Sequence, residues 1–284
     1  MKSKAFILAA ALLWSTAGVA VKLSSLSPWQ LSAGRSLIAA VTLLLVLPEA
    51  RRWPSRKGIL VAFAYATSIT LFVIATKLTT AANAIFLQDT APLHVMLLST
   101  LLLKERPTRT ELLSAPVFLI GLGLFFVDQL APGQRLGNIV ALVASVVFAF
   151  TIVGLRAVER ESPSVLAAGN SIAAIAVLPL ALTGPAPSPL DLSMVGWLGI
   201  SLAFAYVFFS RGLREASAVE GSLLMLIEPV LSAAWTFLIV GERMGGWAIV
   251  GGAVILGASV WRTFAGRVTS APSQPENSPH TLRA

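Results

Sequence analysis

Apolar runs, each about as long as a bilayer is thick, follow one another along the chain with brief polar connections between them. An α-helix needs about 20 largely apolar residues to cross the hydrocarbon layer. Runs of that kind fall at roughly 5–22, 29–47, 58–77, 81–103, 110–127, 136–157, 164–182, 192–212, 218–240 and 245–264. The pattern predicts an all-α membrane protein with ten transmembrane helices. Outside the runs there is a short head, connections of a few residues, and a polar stretch 267–284 whose Pro272, Pro275, Asn277 and Pro279 predict a disordered tail. No soluble catalytic domain fits between the spans, so the chemistry is expected inside the bundle.

Composition agrees with this reading. The 284 residues are 56% hydrophobic and 12% charged, outside the range of soluble domains. Cysteine is absent, which excludes disulfides, thiolate nucleophiles and cysteine metal sites. The start, Met1-Lys2-Ser3-Lys4 before an apolar run, has the charge pattern of a signal peptide. The run is long for one, however, and no clear small-x-small site follows, so the segment is expected to stay as the first span.

A net charge of +8 raises the question of nucleic acid, and the placement of the charges answers it. Lys2, Lys4, Arg51, Arg52, Arg56, Lys57, Lys104, Arg106, Arg109, Arg156, Arg160, Arg211, Arg214, Arg262, Arg267 and Arg283 would gather on one side of the membrane. Lys22, Lys77, Arg135 and Arg243 would gather on the other, with Arg35 inside the second span. Positive charge marks the cytoplasmic side, so both termini are expected in the cytoplasm and no nucleic-acid partner is expected.

The chain also repeats itself. At an offset of 135, Pro28, Leu31, Ala33, Gly34 and Ser36 match Pro163, Leu166, Ala168, Gly169 and Ser171; at 137, Pro92 and Glu105 match Pro229 and Glu242. Two five-helix units follow, 1–130 and 131–266. Because five is odd, the second would be inverted relative to the first, an arrangement typical of secondary transporters with a site near the midplane.

These residues carry a resemblance. The ten spans in two repeats, Trp14-Ser15 in the first span, Pro28 to Gly34-Arg35 at the start of the second, Pro92 in a polar fourth span, and the Glu105-Arg106 and Glu242-Arg243 ends resemble the EamA-type proteins of the drug/metabolite transporter superfamily. The resemblance covers about residues 4–264 and is closest to bacterial aromatic amino-acid exporters. It implies alternating access in a bacterial inner membrane, a cavity lined by spans 3, 4, 8 and 9, and spans 5 and 10 at the periphery. It also implies a small-molecule substrate, a neutral or aromatic amino acid or a related metabolite moved outward, with hydrophobic drugs as the alternative cargo.

Ionisable and polar groups at membrane depth are site candidates on energetic grounds alone. The fourth span carries Asn83, Gln88, Asp89 and His94 around Pro92; lipid cannot satisfy them, so protein or a wet cavity must. Asp89 and His94 are five positions apart, about 140° between faces, so one cavity does not receive both squarely. Glu228-Pro229 repeats the acid and proline of the fourth span in span 9, on a face with Gly221, Ser232 and Trp235. Three roles stand open for such a carboxylate: a seat for a substrate ammonium, a proton carrier, or a buried neutral hydrogen-bonding group. Arg35, whose repeat mate is Asn170, is a candidate for a substrate carboxylate, while Trp14, Tyr206 and Trp235 are candidates for an aromatic wall. Pro92 and Pro229 are expected hinges. Gly121, Gly123, Ala248, Gly252, Ala253 and Gly257 predict close packing of spans 5 and 10.

No catalytic residue, metal ligand or cofactor is assigned. Gly169-Asn170-Ser171 has the Gly-x-Ser of an intramembrane serine protease with His94 as a conceivable base, but Gly34-Arg35-Ser36 occupies the mate position, which favours duplicated packing. Zinc and nucleotide motifs are absent, and a channel filter is usually made by symmetry between subunits. The expected partners are the substrate, the bilayer and, as a candidate, protons, in a monomer or homodimer.

Overall fold

The computed structural model describes residues 2–79, 81–128, 134–241 and 245–265. Glu242, Arg243 and the 267–284 tail lie outside them, as does the expected boundary between the two units at 130 and 131. The described residues fold into helices and connections with no strand. Nine segments are long and apolar enough to cross a membrane, and a tenth apolar stretch, Gly246–Trp261, is shorter.

In chain order the helices are α1 (Lys2–Ser15), α2 (Ala17–Leu23), α3 (Pro28–Val46), α4 (Arg56–Leu78), α5 (Ala81–Gln88), α6 (Ala91–Leu98), α7 (Arg109–Phe126), α8 (Arg135–Ala157), α9 (Ser162–Ala181), α10 (Pro189–Gly212), α11 (Ala218–Met225), α12 (Glu228–Val240) and α13 (Gly246–Ala265). Three spans are therefore broken into two helices: the first (α1 and α2), the fourth (α5 and α6) and the ninth (α11 and α12).

The starts of the spans are written in side-chain chemistry. A helix leaves its first N–H groups unpaired, and Ser27 with Gln30, Thr108 with Glu111, and Ser188 with Asp191 close reciprocal capping boxes over them. Ser55 and Ser217 cap α4 and α11 more simply. Asp191 does a second job: its carboxylate accepts from Ser24 Oγ at 2.7 Å and Ser25 Oγ at 2.9 Å, fastening the loop after α2 to the start of α10. At another junction Glu161 accepts from the Ser55 N–H at 2.7 Å, fastening the connection before α9 to the start of α4.

Helices pair as α4 with α8, α3 with α9, α1 with α10, and α7 with α13. Glycines let backbones approach at the α4–α9 and α7–α13 contacts. Gly169 on α9 lies against the Tyr65 ring and the Ala62 carbonyl of α4, and Gly251 on α13 lies against Phe125 and the Gly121 carbonyl of α7. The expected stripe in spans 5 and 10 thus needs correcting: Gly121 and Gly252 are in the contact and Ala248 is buried, but Gly123 and Gly257 face open space and Ala253 is exposed. The reason is register, since α7 and α13 cross at Gly121 and Gly251 and the other small residues lie on the outer faces. Outward-facing Leu45, Leu60 and Ile175 are each 70% exposed, a belt of apolar surface that a bilayer covers.

The ends of the fourth and ninth spans share a backbone feature. Lys104 and Gly241, which correspond at the offset of 137, both take left-handed conformations, with φ of 59° and 79°. Just beyond Lys104, Glu105 meets Arg156 at 3.1 Å rather than its neighbour Arg106. Arg156 also bonds Glu159 at 3.2 Å and the Arg214 carbonyl at 2.9 Å, so one guanidinium gathers the ends of three spans.

Candidate transport cavity

The breaks in the fourth and ninth spans have a covalent cause. Proline offers no N–H, so Pro92 withholds the bond that the Gln88 carbonyl would accept and Pro229 withholds the one for Met225. The chain tightens instead: Thr90 N–H bonds the Leu87 carbonyl at 3.4 Å, and Ile227 N–H the Leu224 carbonyl at 3.4 Å. Gln88 and Asp89 stand at the first break, Met225 and Glu228 at the second, and all four line one cavity of about 220 Å³.

The rest of the lining comes from five other spans. Trp14 enters from α1 and Arg35 from α3. Ser68, Ile69 and Phe72 come from α4, Phe148 from α8, and Leu202 and Tyr206 from α10, while Ile85 of α5 completes the fourth span's share. Spans 3, 4, 8 and 9 contribute as the resemblance implied, and spans 1, 2 and 6 contribute as well. None of the described lining residues belongs to α7 or α13.

Aromatic rings brace one wall. Trp14 meets Tyr206 edge-on at 4.6 Å, and Tyr206 meets Tyr65 edge-on at 4.7 Å. The Tyr65 hydroxyl donates to Asn170 Oδ1 at 3.1 Å, and the Asn170 amide donates to the Leu166 carbonyl at 2.9 Å. This chain of contacts joins α1, α10, α4 and α9 and fixes ring orientations facing the cavity. Beside the two tyrosines, Arg35 leaves Nε without a protein hydrogen-bond partner, and Gln88 Oε1 and Asp89 Oδ2 are likewise unpartnered. Buried polar atoms without partners are uncommon, and here three cluster around one cavity.

The expected site residues divide into two groups. Trp14, Arg35, Gln88, Asp89, Tyr206 and Glu228 come together in the lining, with Pro92 and Pro229 buried just past the breaks. Asn83, His94, Asn170 and Trp235 are elsewhere. Asn83 donates to Thr79 Oγ1 and Asn138 Oδ1 at 3.2 and 3.3 Å, tying the start of the fourth span to α8. His94 Nδ1 lies 3.1 Å from Ser145 Oγ, also on α8. Asn170 is fully buried behind Tyr65, and the Trp235 indole donates to Ser15 Oγ at 3.0 Å. Each has found a protein partner, which satisfies the polarity that singled it out. Ser171 donates to the Ala167 carbonyl at 2.9 Å, so Gly169-Asn170-Ser171 is a packing motif. Gly221 and Glu228 do not share a continuous helix, because the break at Leu226 and Ile227 separates them.

Tyr65, Ser68, Phe72 and Phe148 had not been singled out in the sequence. One signal pointed to Tyr65: the chain has two tyrosines, both deep in spans rather than at an interface, and they touch.

A profile of the EamA-like transporter family matches residues 1–127 and again residues 135–263. The chain belongs to the EamA-like transporter family. Relatives of this EamA-like chain include an uncharacterized transporter of Clostridium kluyveri, 27% identical with 91% of this chain and 92% of that one covered. Another is the uncharacterized transporter YwfM of Bacillus subtilis, 27% identical with 84% and 86% covered. A third, from Archaeoglobus fulgidus, is 29% identical over 69% of this chain and 72% of its own length. A protein of known crystal structure shares the fold with a TM-score of 0.79 at 23% identity, covering 93% of this chain and 98% of that one. The chain is a multi-pass membrane transporter rather than an enzyme.

Proposed function

We propose that this transporter is a carrier of amino acids or similarly small metabolites, working by alternating access as an exporter in a bacterial inner membrane with both termini in the cytoplasm. The single observation that carries the reading is the cavity at the two helix breaks, where one guanidinium and two carboxylates offer opposite charges for the two ends of an amino acid. The braced Trp14 and Tyr206 rings supply an apolar, cation-tolerant wall for a side chain. At about 220 Å³ the space is below the roughly 300 Å³ at which drug-sized pockets begin, which favours amino-acid-sized cargo over bulky drugs.

A two-fold repeat is supported by the contact pattern, and an odd number of spans in each half makes it an inverted one. Relating each span to the one five later turns the α4–α8 contact into the α10–α1 contact and leaves the α3–α9 and α7–α13 contacts unchanged. Rocking of one set of spans against the other about Pro92 and Pro229 would expose the cavity to each side in turn. The test is counterflow in proteoliposomes loaded with unlabelled amino acids. Saturable uptake of a few labelled ones, the aromatic ones foremost, is the expected result; absence of exchange across the whole panel with folded protein would overturn the reading.

A further inference from the structure

The cavity collects three charged side chains from three spans: Arg35 on α3, Asp89 at the break of the fourth span and Glu228 at the break of the ninth. Tyr206 shares the lining and Tyr65 stands behind it; His94 is turned away to Ser145 on α8. These are the titratable groups that the described helices bring around the two carboxylates. The guanidinium remains charged at every relevant pH. With both carboxylates ionised the site has one net negative charge, and with a single proton on the pair it has none. Net charge in a desolvated site is far more costly than in water, and Asp89 and Glu228 line one small cavity, where two like charges disfavour joint ionisation. Charge balance in the empty cavity therefore takes one proton on the pair.

We propose that the Asp89 and Glu228 pair, balanced by Arg35, is a one-proton site that couples transport according to the net charge of the cargo. This rests on the transport reading above. A zwitterion places its carboxylate on Arg35 and its ammonium on the ionised member of the pair, and the proton stays on the other. Empty and loaded cavities are then equally neutral, the proton never leaves, and zwitterions move only down their own gradient. A monovalent organic cation instead takes the place of the proton. The carboxyl O–H breaks, its proton passes to water on the side from which the cation arrives, and the cation pairs with the freed carboxylate. On the opposite side a proton from water rebinds as the cation departs, so one cation is exchanged for one proton with no net charge moved. Trp14 and Tyr206 in the wall suit an organic cation.

Two probes of similar size separate the cases: phenylalanine, a zwitterion, and phenyltrimethylammonium, a permanent cation that has no neutral form to leak through lipid. Both would be offered to proteoliposomes of the full chain, one pH unit more acidic inside, with the membrane potential clamped at zero and protein-free vesicles as the control. Phenyltrimethylammonium is expected to accumulate inside by about tenfold, and phenylalanine to reach equal concentrations on the two sides. Asp89→Asn and Glu228→Gln are each expected to lose the accumulation of the cation, with folding checked by thermal unfolding; should a variant not fold, the two probes on the unaltered protein decide. Equal accumulation of both probes, exchange of the cation without accumulation, or accumulation retained in a folded Glu228→Gln protein overturns the proposal. Exchange of neither probe overturns this proposal; the amino-acid reading falls with it only if the whole amino-acid panel also fails to exchange, and exchange without charge discrimination leaves the carrier standing.

Discussion

The fourth and ninth spans use one backbone device and fill it differently. Each breaks just before a buried proline, Pro92 or Pro229, and each presents a carboxylate to the cavity. Leading into the ninth span's break, Gly221, Ser222, Leu223, Leu224, Met225 and Leu226 are all buried. Leading into the fourth span's break, Ile85, Phe86, Leu87 and Gln88 are only partly buried, and polar Asn83, Thr90 and His94 are held by α8. The acids also differ in position, because Asp89 lies three residues before its proline and Glu228 directly before its own. One half of the site is thus anchored by packing and the other by a few hydrogen bonds to a neighbour. In lipid, where helix association depends on packing and polar contacts, the second is the half with less to hold it still.

The largest effect that would break this comparison is on stability. Leu224 is fully buried, and Leu224→Ala is expected to cost on the order of 2 kcal/mol, the low end for buried leucines because lipid rather than water solvates the displaced surface. Leu87, its counterpart at the offset of 137, is partly buried, and Leu87→Ala is expected to cost about half as much. Thermal unfolding in detergent measures both. Equal losses would mean that the two halves are anchored alike.

Next comes motion. Restoring an N–H at the breaks by Pro92→Ala and Pro229→Ala lets the Gln88 and Met225 carbonyls rejoin their helices, stiffening the spans. Each variant is expected to slow exchange by about tenfold, equivalent to about 1.4 kcal/mol of barrier. Pro229→Ala should show the larger effect, since Glu228 adjoins the proline and its carboxylate turns with the repaired helix. A double variant that exchanges at the original rate would exclude the breaks as hinges.

How much of this was legible in the chain depends on the kind of feature. Span number and the polar fourth helix follow from a solvent constraint that admits few exceptions, and Pro92 and Pro229 announce their breaks because proline acts on its own backbone. The break at Thr16 in the first span has no such mark; it is held by Ser15 and Thr16 bonding back to Leu12 and Leu13 at 2.8 and 2.7 Å, with Trp235 and Trp197 bonded to their hydroxyls. Site membership was harder. Polarity at depth shows that a residue needs a partner, not whether the partner is cargo or protein, so Arg35 and Asn170 at matched positions have opposite fates. Asn170 closes onto Tyr65 and Leu166, and Arg35 opens into the cavity.

A smaller effect sharpens the comparison at the far ends of the same spans. Lys104 and Gly241 are both left-handed, but only glycine takes that conformation without strain. Gly241→Ala is expected to cost about 1 kcal/mol. Lys104→Gly should change stability by less than about 0.5 kcal/mol, because the relieved strain is offset by the extra freedom of the unfolded chain. A large gain for Lys104→Gly in thermal unfolding would show that the fourth span ends under more strain than this balance allows.

The smallest effect bears on how many titratable groups the fourth span gives to transport. His94 follows Asp89 by five residues, but the chain breaks between them, and α6 turns the imidazole to Ser145 on α8 while Asp89 faces the cavity. Ser145 is also within 3.2 Å of Thr90 Oγ1, so the imidazole belongs to a small network joining α6 to α8. Losing one member of such a network in a membrane costs about 0.6 kcal/mol. His94→Ala is accordingly expected to lower the unfolding temperature slightly and to leave the pH dependence of cation exchange unchanged, because the charge balance of the cavity involves Arg35, Asp89 and Glu228. A shifted pH profile in a folded His94→Ala protein would place the imidazole in the proton path after all, and the fourth span would then carry two titrating groups against the single carboxylate of the ninth.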